Sequence, residues 1–211
     1  MDTDNNTFLV GHSIELRVPS DDDIENSNWH SWYNNLETTQ NNMHGVFPIG
    51  VREETAIVRN IMSESSSILC AIYDLESGKL IGNAALQNID LINKHCNIAL
   101  TIGEGAPFTA SVEVFGLLCN HAFMRLNLER VHDATHENLK TLVTMLSVIG
   151  FKEEGTMQKY FFRDNRWYAK INFAIFREDF IKLYTSRSGN ILFENTKVLR
   201  RAIIDSVKAS I

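Results

Sequence analysis

Residues 97–155 read NIALTIGEGAPFTASVEVFGLLCNHAFMRLNLERVHDATHENLKTLVTMLSVIGFKEEG, and the fold turns on them. The apolar run Ile98–Ile102 has the make-up of a buried strand and stops at Gly103-Glu104-Gly105. A short linker with Pro107 leads into a helical pattern, Ser111 to Leu126. A strand is expected at Arg130–Thr135, a second helix from about Glu137 to Val148, and a third strand after Gly150-Phe151. The order is strand, loop, helix, strand, helix, strand, with the loop–helix junction at its centre.

A helix N-terminus carries unpaired amides and partial positive charge, and a preceding loop of small residues lets an anion reach them. Phe108, Thr109, Ala110 and Ser111 supply the amides here, with hydroxyls from Thr109 and Ser111. Pro107 has no N–H to give. The same loop also reads as an ordinary strand-to-helix connection.

Outward from this unit, Phe8–Val18 alternates as a first strand, with Ile14, Leu16 and Val18 on one face. Pro19-Ser20 ends it, and an aspartate among Asp21–Asp23 caps a helix carrying Ile24, Trp29, Trp32 and Tyr33. Asn34–Gly50 reads as a looser segment in which NNMHGVFP is a poor candidate for regular structure, and Arg52–Ser63 as a further helix. Ser67–Leu75 and Lys79–Ile89 form a hairpin around Glu76-Ser77-Gly78, followed by a strand at Lys94–Ile102. Gly155–Phe162 and Tyr168–Phe176 form a second hairpin. From Thr185 the composition shifts to a linker and a basic amphipathic helix within Ile191–Ile211, expected to pack on the domain or on a second subunit of a homodimer. The expected division is residues 1–184 as one domain and 185–211 as linker and C-terminal helical extension.

A chain of 211 residues is long enough for one sizeable core. A net charge of −6 argues against a nucleic-acid-binding surface. The polar start MDTDNN has no signal-peptide pattern, and no apolar run reaches a membrane span. Three cysteines (Cys70, Cys96, Cys119) in apolar segments, without metal spacing, read as buried free thiols in a reducing cytosol. No metal site is expected.

IGEG, the acidic helix position Glu113, HAFMRLNLERV and IGFKEEG, in this order, resemble the GNAT superfamily of acyl-CoA-dependent N-acyltransferases. The likeness runs from roughly Ile14 to Phe180 and is nearest to the branch holding ribosomal-protein acetyltransferases and many amino-sugar acyltransferases. It implies a mixed α/β fold: a mostly antiparallel twisted sheet with one splayed strand pair, flanked by helices. It further implies coenzyme A as cosubstrate, its pyrophosphate on the amides of Phe108–Ser111. The pantetheine would lie where the strand near Asn97–Ile102 splays from the strand near Arg130–Thr135. Leu100, Thr101, Ile102, Gly103 and Asn138 are then expected at the cofactor. Three departures stand out. The usual loop glycines are replaced by Ala106-Pro107-Phe108-Thr109-Ala110. Leu146 occupies the position of a frequent tyrosine acid. The spacing from Asn138 to Gly150 is one residue longer.

Acyl transfer from a thioester needs an unprotonated amine held near a polarised carbonyl. A strand N–H within Ala99–Ile102 is the natural donor to the carbonyl oxygen. No G-x-S-x-G and no Cys–His pattern points to an acyl-enzyme. His44 is the leading candidate base, in a loop that faces the acceptor in this family. Asn97 stands where relatives often carry Glu and can orient a water or the amine. Ser147, beside the Leu146 position, is placed to donate to the thiolate; it also reads as a surface serine. Trp29, Asn41, Asn42 and Met43 are expected at the acceptor, with Tyr160, Phe162, Arg163 and Trp167 of the second hairpin giving stacking surfaces and a cation. Trp29 also reads as a core anchor. The expected function is transfer of an acetyl or short acyl group, such as hydroxybutanoyl, to a nucleotide-linked amino sugar, with a dTDP-linked amino-dideoxyhexose as the first guess. The alternatives are acetylation of a protein N-terminus or ribosomal protein, and a CoA-binding module without catalysis.

Overall fold

The computed structural model describes residues 6–41 and 46–210. Eight strands among them form one sheet: β1 (Thr7–Val10), β2 (Ile14–Arg17), β3 (Ile68–Asp74), β4 (Leu80–Asp90), β5 (His95–Ile102), β6 (Arg130–His136), β7 (Lys152–Arg163) and β8 (Arg166–Phe176). Their spatial order is β1-β2-β3-β4-β5-β6-β8-β7, and every neighbouring pair is antiparallel except β5–β6. The helices are α1 (Asp21–Glu25), α2 (Trp29–Asn34), α3 (Leu36–Thr39), α4 (Val51–Ser63), α5 (Ala110–Met124), α6 (Lys140–Leu146), α7 (Arg177–Ser186) and α8 (Thr196–Ala209). This is the mixed α/β architecture expected from the sequence, C-terminal helix included.

Two expectations are corrected. Phe8–Val18 is not one strand: β1 and β2 pair antiparallel across a turn at Gly11-His12-Ser13, with Gly11 N–H donating to the Ile14 carbonyl at 2.8 Å. The helix of residues 21–33 is two helices, α1 and α2. Ser20 caps α1 in a reciprocal pair with Asp23, and the Ser27 hydroxyl bonds back to the Asp23 carbonyl, ending it early. The second hairpin turns as expected at Asp164-Asn165, with φ of 48° and 58°, the left-handed pair that a two-residue turn requires.

The sheet has two covered faces. Cys96, Ile98, Val131, Phe173 and Ile175 pack under α5 with Phe115, Leu118 and Phe123. Leu199 and Ile203 of α8 are fully buried in that same cluster, so α8 packs on the rest of the chain. Its Ser206 meets Ser147 at 2.8 Å. On the other face Ile24, Trp29, Trp32, Val58 and Ala71 form a smaller cluster under α2 and α4. All three cysteines are free and buried, and burial pushes Cys70 and Cys96 up to about 12, too high for a nucleophile. Among the described residues, no helix is long and apolar enough to cross a membrane.

Candidate active site

β5 and β6 are paired only at His95–Arg130, Cys96–Val131 and Asn97–His132. Beyond Asn97 both strands continue, β5 to Ile102 and β6 to His136, without pairing. Strand alternation assigns the free groups. Gly103 N–H bonds to Ile81 of β4, so Thr101 and Ala99 point their amides the same way, and Ile98, Leu100 and Ile102 point theirs into the opening.

A cavity of about 1030 Å³ passes through this opening and is lined from both faces of the sheet. On the α5 side its walls are Ile98, Leu100, Ile102, Phe115, Leu139, Leu142 and Phe173, an apolar trench. On the α2–α4 side the floor is polar: Asn83 and Gln87 of β4, Asn97 and Thr101 of β5, His132 and His136 of β6, Asn172 of β8. Period-2 alternation produces both surfaces from the same strands, because Asn97 and Ile98 must face opposite ways.

Trp29, Tyr33, Glu54, Val58 and Ile61 roof the polar side. Tyr33 Oη donates to Asn83 at 3.1 Å and lies 3.5 Å from Thr101 Oγ1. Glu54 is buried, and that burial raises its carboxyl above the usual range. Gly103 allows this wall to close: a Cβ there would meet the Trp32 indole at 2.6 Å. Burial is also the main cause that lowers His132 and His136 below the ordinary histidine value, so both are neutral near pH 7. The Asn138 N–H donates to His136 Nδ1 at 3.1 Å, which leaves the proton on Nε2.

The expected site residues divide. Asn97, Leu100, Thr101, Ile102, Trp29 and Asn41 line the cavity. Trp29 does so as a fully buried roof residue. Asn41 accepts from Asn138 Nδ2 at 3.3 Å, joining the segment after α3 to the turn after β6. Asn42, Met43 and His44 lie outside the described residues. Outside the lined cavity lie Gly103, directly after β5, and Phe108–Ser111, at the N-terminus of α5. There Thr109 turns its hydroxyl to Glu113 at 2.6 Å and forms no cap. Among the described residues, no acceptor takes the Ser111 or Val112 amide.

Ser147 is elsewhere. Its hydroxyl donates to the Thr144 carbonyl at 2.6 Å and meets Ser206 of α8, so it faces α8 and not the opening. Leu146 is fully buried in the core. Tyr160, Phe162 and Trp167 are exposed, and Phe162 packs on Trp167 at 4.9 Å. It is Phe161 that turns in to the cavity, against His136 at 4.9 Å, because neighbours in a strand face opposite ways. Arg163 closes the hairpin, with Nη1 donating to the Phe162 carbonyl.

Glu54 and Asp133 were missed from the sequence, though both carry a signal. Glu54 falls on the same helical face as Val58 and Ile61, and Asp133 falls in the row of Val131. Asp133 is half-buried at the opening, with Phe173 as its partner on β8. Burial pushes its carboxyl up to about 7, opposed by the Ala134 amide and Lys170.

The fold as a whole is similar to that of several solved structures. Spermidine N-acetyltransferase from Vibrio cholerae, in complex with CoA and spermine, superposes with a TM-score of 0.70 over 80% of this chain and 98% of its own, at 18% identity. A GCN5-related N-acetyltransferase from Brucella melitensis gives 0.71 over 96% and 95%, at 16% identity. A GNAT-family acetyltransferase from Bacillus anthracis gives 0.68 over 81% and 99%, at 16% identity. The chain has the GNAT fold. No family model matches the sequence, and a search of curated proteins finds no match. Among the described residues no group of His, Cys, Asp or Glu could hold a metal ion.

Proposed function

We propose that this chain is an acyl-CoA-dependent N-acyltransferase that works by direct attack of an amine on the thioester. The observation that carries the reading is the opening between β5 and β6, with an apolar trench on one side and a polar, roofed cleft on the other. Two substrates entering from opposite faces meet at the gap, which supplies the proximity this reaction depends on. The Leu100 N–H, aimed into the gap, is suited to the carbonyl oxygen. The trench fits the pantetheine arm, and the uncapped first turn of α5 fits the pyrophosphate. CoA supplies the activated acyl group, and the chain supplies position, an oxyanion donor and proton transfer. Three free, buried thiols are in keeping with a cytosolic enzyme.

Two acceptor classes have support. The neutral floor of Asn41, Asn83, Asn97 and Asn172 suits hydroxyls, as on a nucleotide-linked amino sugar. The second reading, a small polyamine, is favoured by Glu37 and Glu54 in the same lining and by the Vibrio neighbour's acceptor. Thiol release from acetyl- and hydroxybutanoyl-CoA, with amino sugars, nucleotide amino sugars, polyamines and N-terminal peptides as acceptors, tests the reading. Turnover with an amino sugar, free or nucleotide-linked, or with a polyamine is expected. Turnover confined to peptides would replace the acceptor class, and CoA binding without turnover would make this a binding module.

A further inference from the structure

An amine that displaces a thiol leaves one proton need unmet. The sulfur departs as a thiolate in an apolar trench, where an unpaired charge is costly. The two positions that a sequence reading offers for the acid do not reach it. Leu146 has no proton to give, and Ser147 is turned to α8. We propose that Asp133 is the acid that protonates the leaving thiolate; this rests on the acyltransferase reading.

The argument is one of placement. The last β5–β6 pair is Asn97–His132, so Asp133 is the first residue of β6 past the point where the strands part. Its side chain shares a face with Val131 and with its β8 partner Phe173, both in the core under α5. It therefore borders the trench, while His132 faces the polar cleft. The thioester carbonyl must lie in the gap, so the sulfur lies on the trench side, next to this carboxyl. What faces it is uncharged from β5, α5, the turn before α6 and α6 itself: Ile98, Phe115, Leu139 and Leu142. Lys170 of β8 acts from the opposite face, and Glu153 of β7 stands exposed beyond Phe173 in the same row. The hydrogen bond that the structure gives the carboxylate comes from its neighbour's amide, Ala134 N–H, at 2.7 Å. Such surroundings favour the neutral acid, and its raised value of about 7 keeps a share of it protonated at neutral pH.

The protons balance. The neutral amine forms the C–N bond and the carbonyl electrons move to oxygen. They return as the C–S bond breaks with its pair on sulfur. The Asp133 O–H proton passes to sulfur, giving the thiol and a carboxylate. The surplus proton on nitrogen then passes, directly or through water, to that carboxylate. No oxidant or further reactant is needed.

Two measurements test this. In single turnovers with a weakly basic amine acceptor, whose own ionisation lies below the range read, the wild-type rate should be flat in acid and fall as pH rises through about 7. Asp133→Asn should be slower on the plateau by about a hundredfold, within the range for loss of an acid, and should show no fall; Asp133→Glu should recover part of it. Separately, 13C-labelled aspartate in the wild-type protein should show the Asp133 carboxyl titrating near neutrality and moving when CoA is added. Asp133→Asn turning over within threefold of wild type, or an Asp133 signal indifferent to CoA, overturns the acid role. So does a rate that rises through that pH and loses its rise in Asp133→Asn, since the group would then be a base. A wild-type chain that acylates no amine overturns the acyltransferase reading and this role together.

Discussion

Asn97 faces His132 as the last pair of the parallel β5–β6 ladder, and the strands separate immediately beyond them. That one register position fixes the rest of the site. It sets which amides of β5 are free, which side chains of β6 reach the trench, and where two substrates would meet. A neutral Asn beside a neutral His at this point offers hydrogen bonds without a fixed charge, so the charged groups of the cavity act from its walls.

The direction of the β5 amides gives the first prediction. Leu100→Pro removes an N–H that faces the opening, whereas Thr101→Pro removes one that belongs to the β4 ladder, where Thr101 is paired with Asn83. Leu100→Pro should fold and lose turnover by about a hundredfold or more, as for loss of an oxyanion donor. Thr101→Pro should fail to fold or melt far lower. Circular dichroism and thiol release on both variants check it; equal activity of Leu100→Pro and wild type removes the amide from the reaction.

The first turn of α5 gives the second. Ser111 is half-buried in that turn, where an aspartate suits the helix but repels an anion. Ser111→Asp should keep its thermal midpoint and bind CoA at least about tenfold more weakly. Dephospho-CoA and pantetheine, titrated by calorimetry beside CoA, localise the loss, because pantetheine carries no pyrophosphate and its binding should not change.

Glu113 is fully buried in the same turn. It accepts from the His12 and Ser13 amides at 2.7 and 2.9 Å, and from the Ser13 and Thr109 hydroxyls, each at 2.6 Å. It thus ties the β1–β2 turn to the helix that the cofactor reading depends on. Glu113→Leu leaves those four donors without their acceptor and should cost about 3–5 kcal/mol. For a chain of this length that is a fall of roughly 10 °C in thermal midpoint. A fall of only a degree or two would mean that the turn finds other partners.

Most of the sheet and its helices were legible, because their apolar positions recur at period 2 or 3.6 and tight turns carry Gly, Asn or Asp. The misses have local causes. Alternation runs on through Gly11-His12-Ser13, so two strands read as one. Ser27 stops α1 through a side-chain bond that no periodicity reports. At the site, the sequence located the opening and the segments Asn97–Ile102 and Arg130–Thr135. It did not say which face each side chain takes near the bulge of β7, and so chose Tyr160 and Phe162 where Phe161 turns inward. A charged residue in an apolar row was the signal left unread: Glu54 in line with Val58, Asp133 in line with Val131.

That row gives the last prediction, a dependence of stability on pH that needs no substrate. Asp133 has its carboxyl raised to about 7 in the folded protein, against 3.8 for the free side chain. Because the folded value is the higher one, the folded state binds the proton more tightly. The group is not destabilising below pH 4, and its cost grows as pH rises towards 7 and then levels off. The full cost is on the order of 4 kcal/mol, at about 1.4 kcal/mol per unit. Asp133→Asn keeps the shape and removes the charge. It should therefore match wild type near pH 4, gain through pH 5 and 6, and melt at least about 5 °C higher at pH 8. Thermal melts across that range read the curve directly. A stability difference that does not change with pH would mean that Asp133 is ionised throughout, in a setting more polar than the trench beside it.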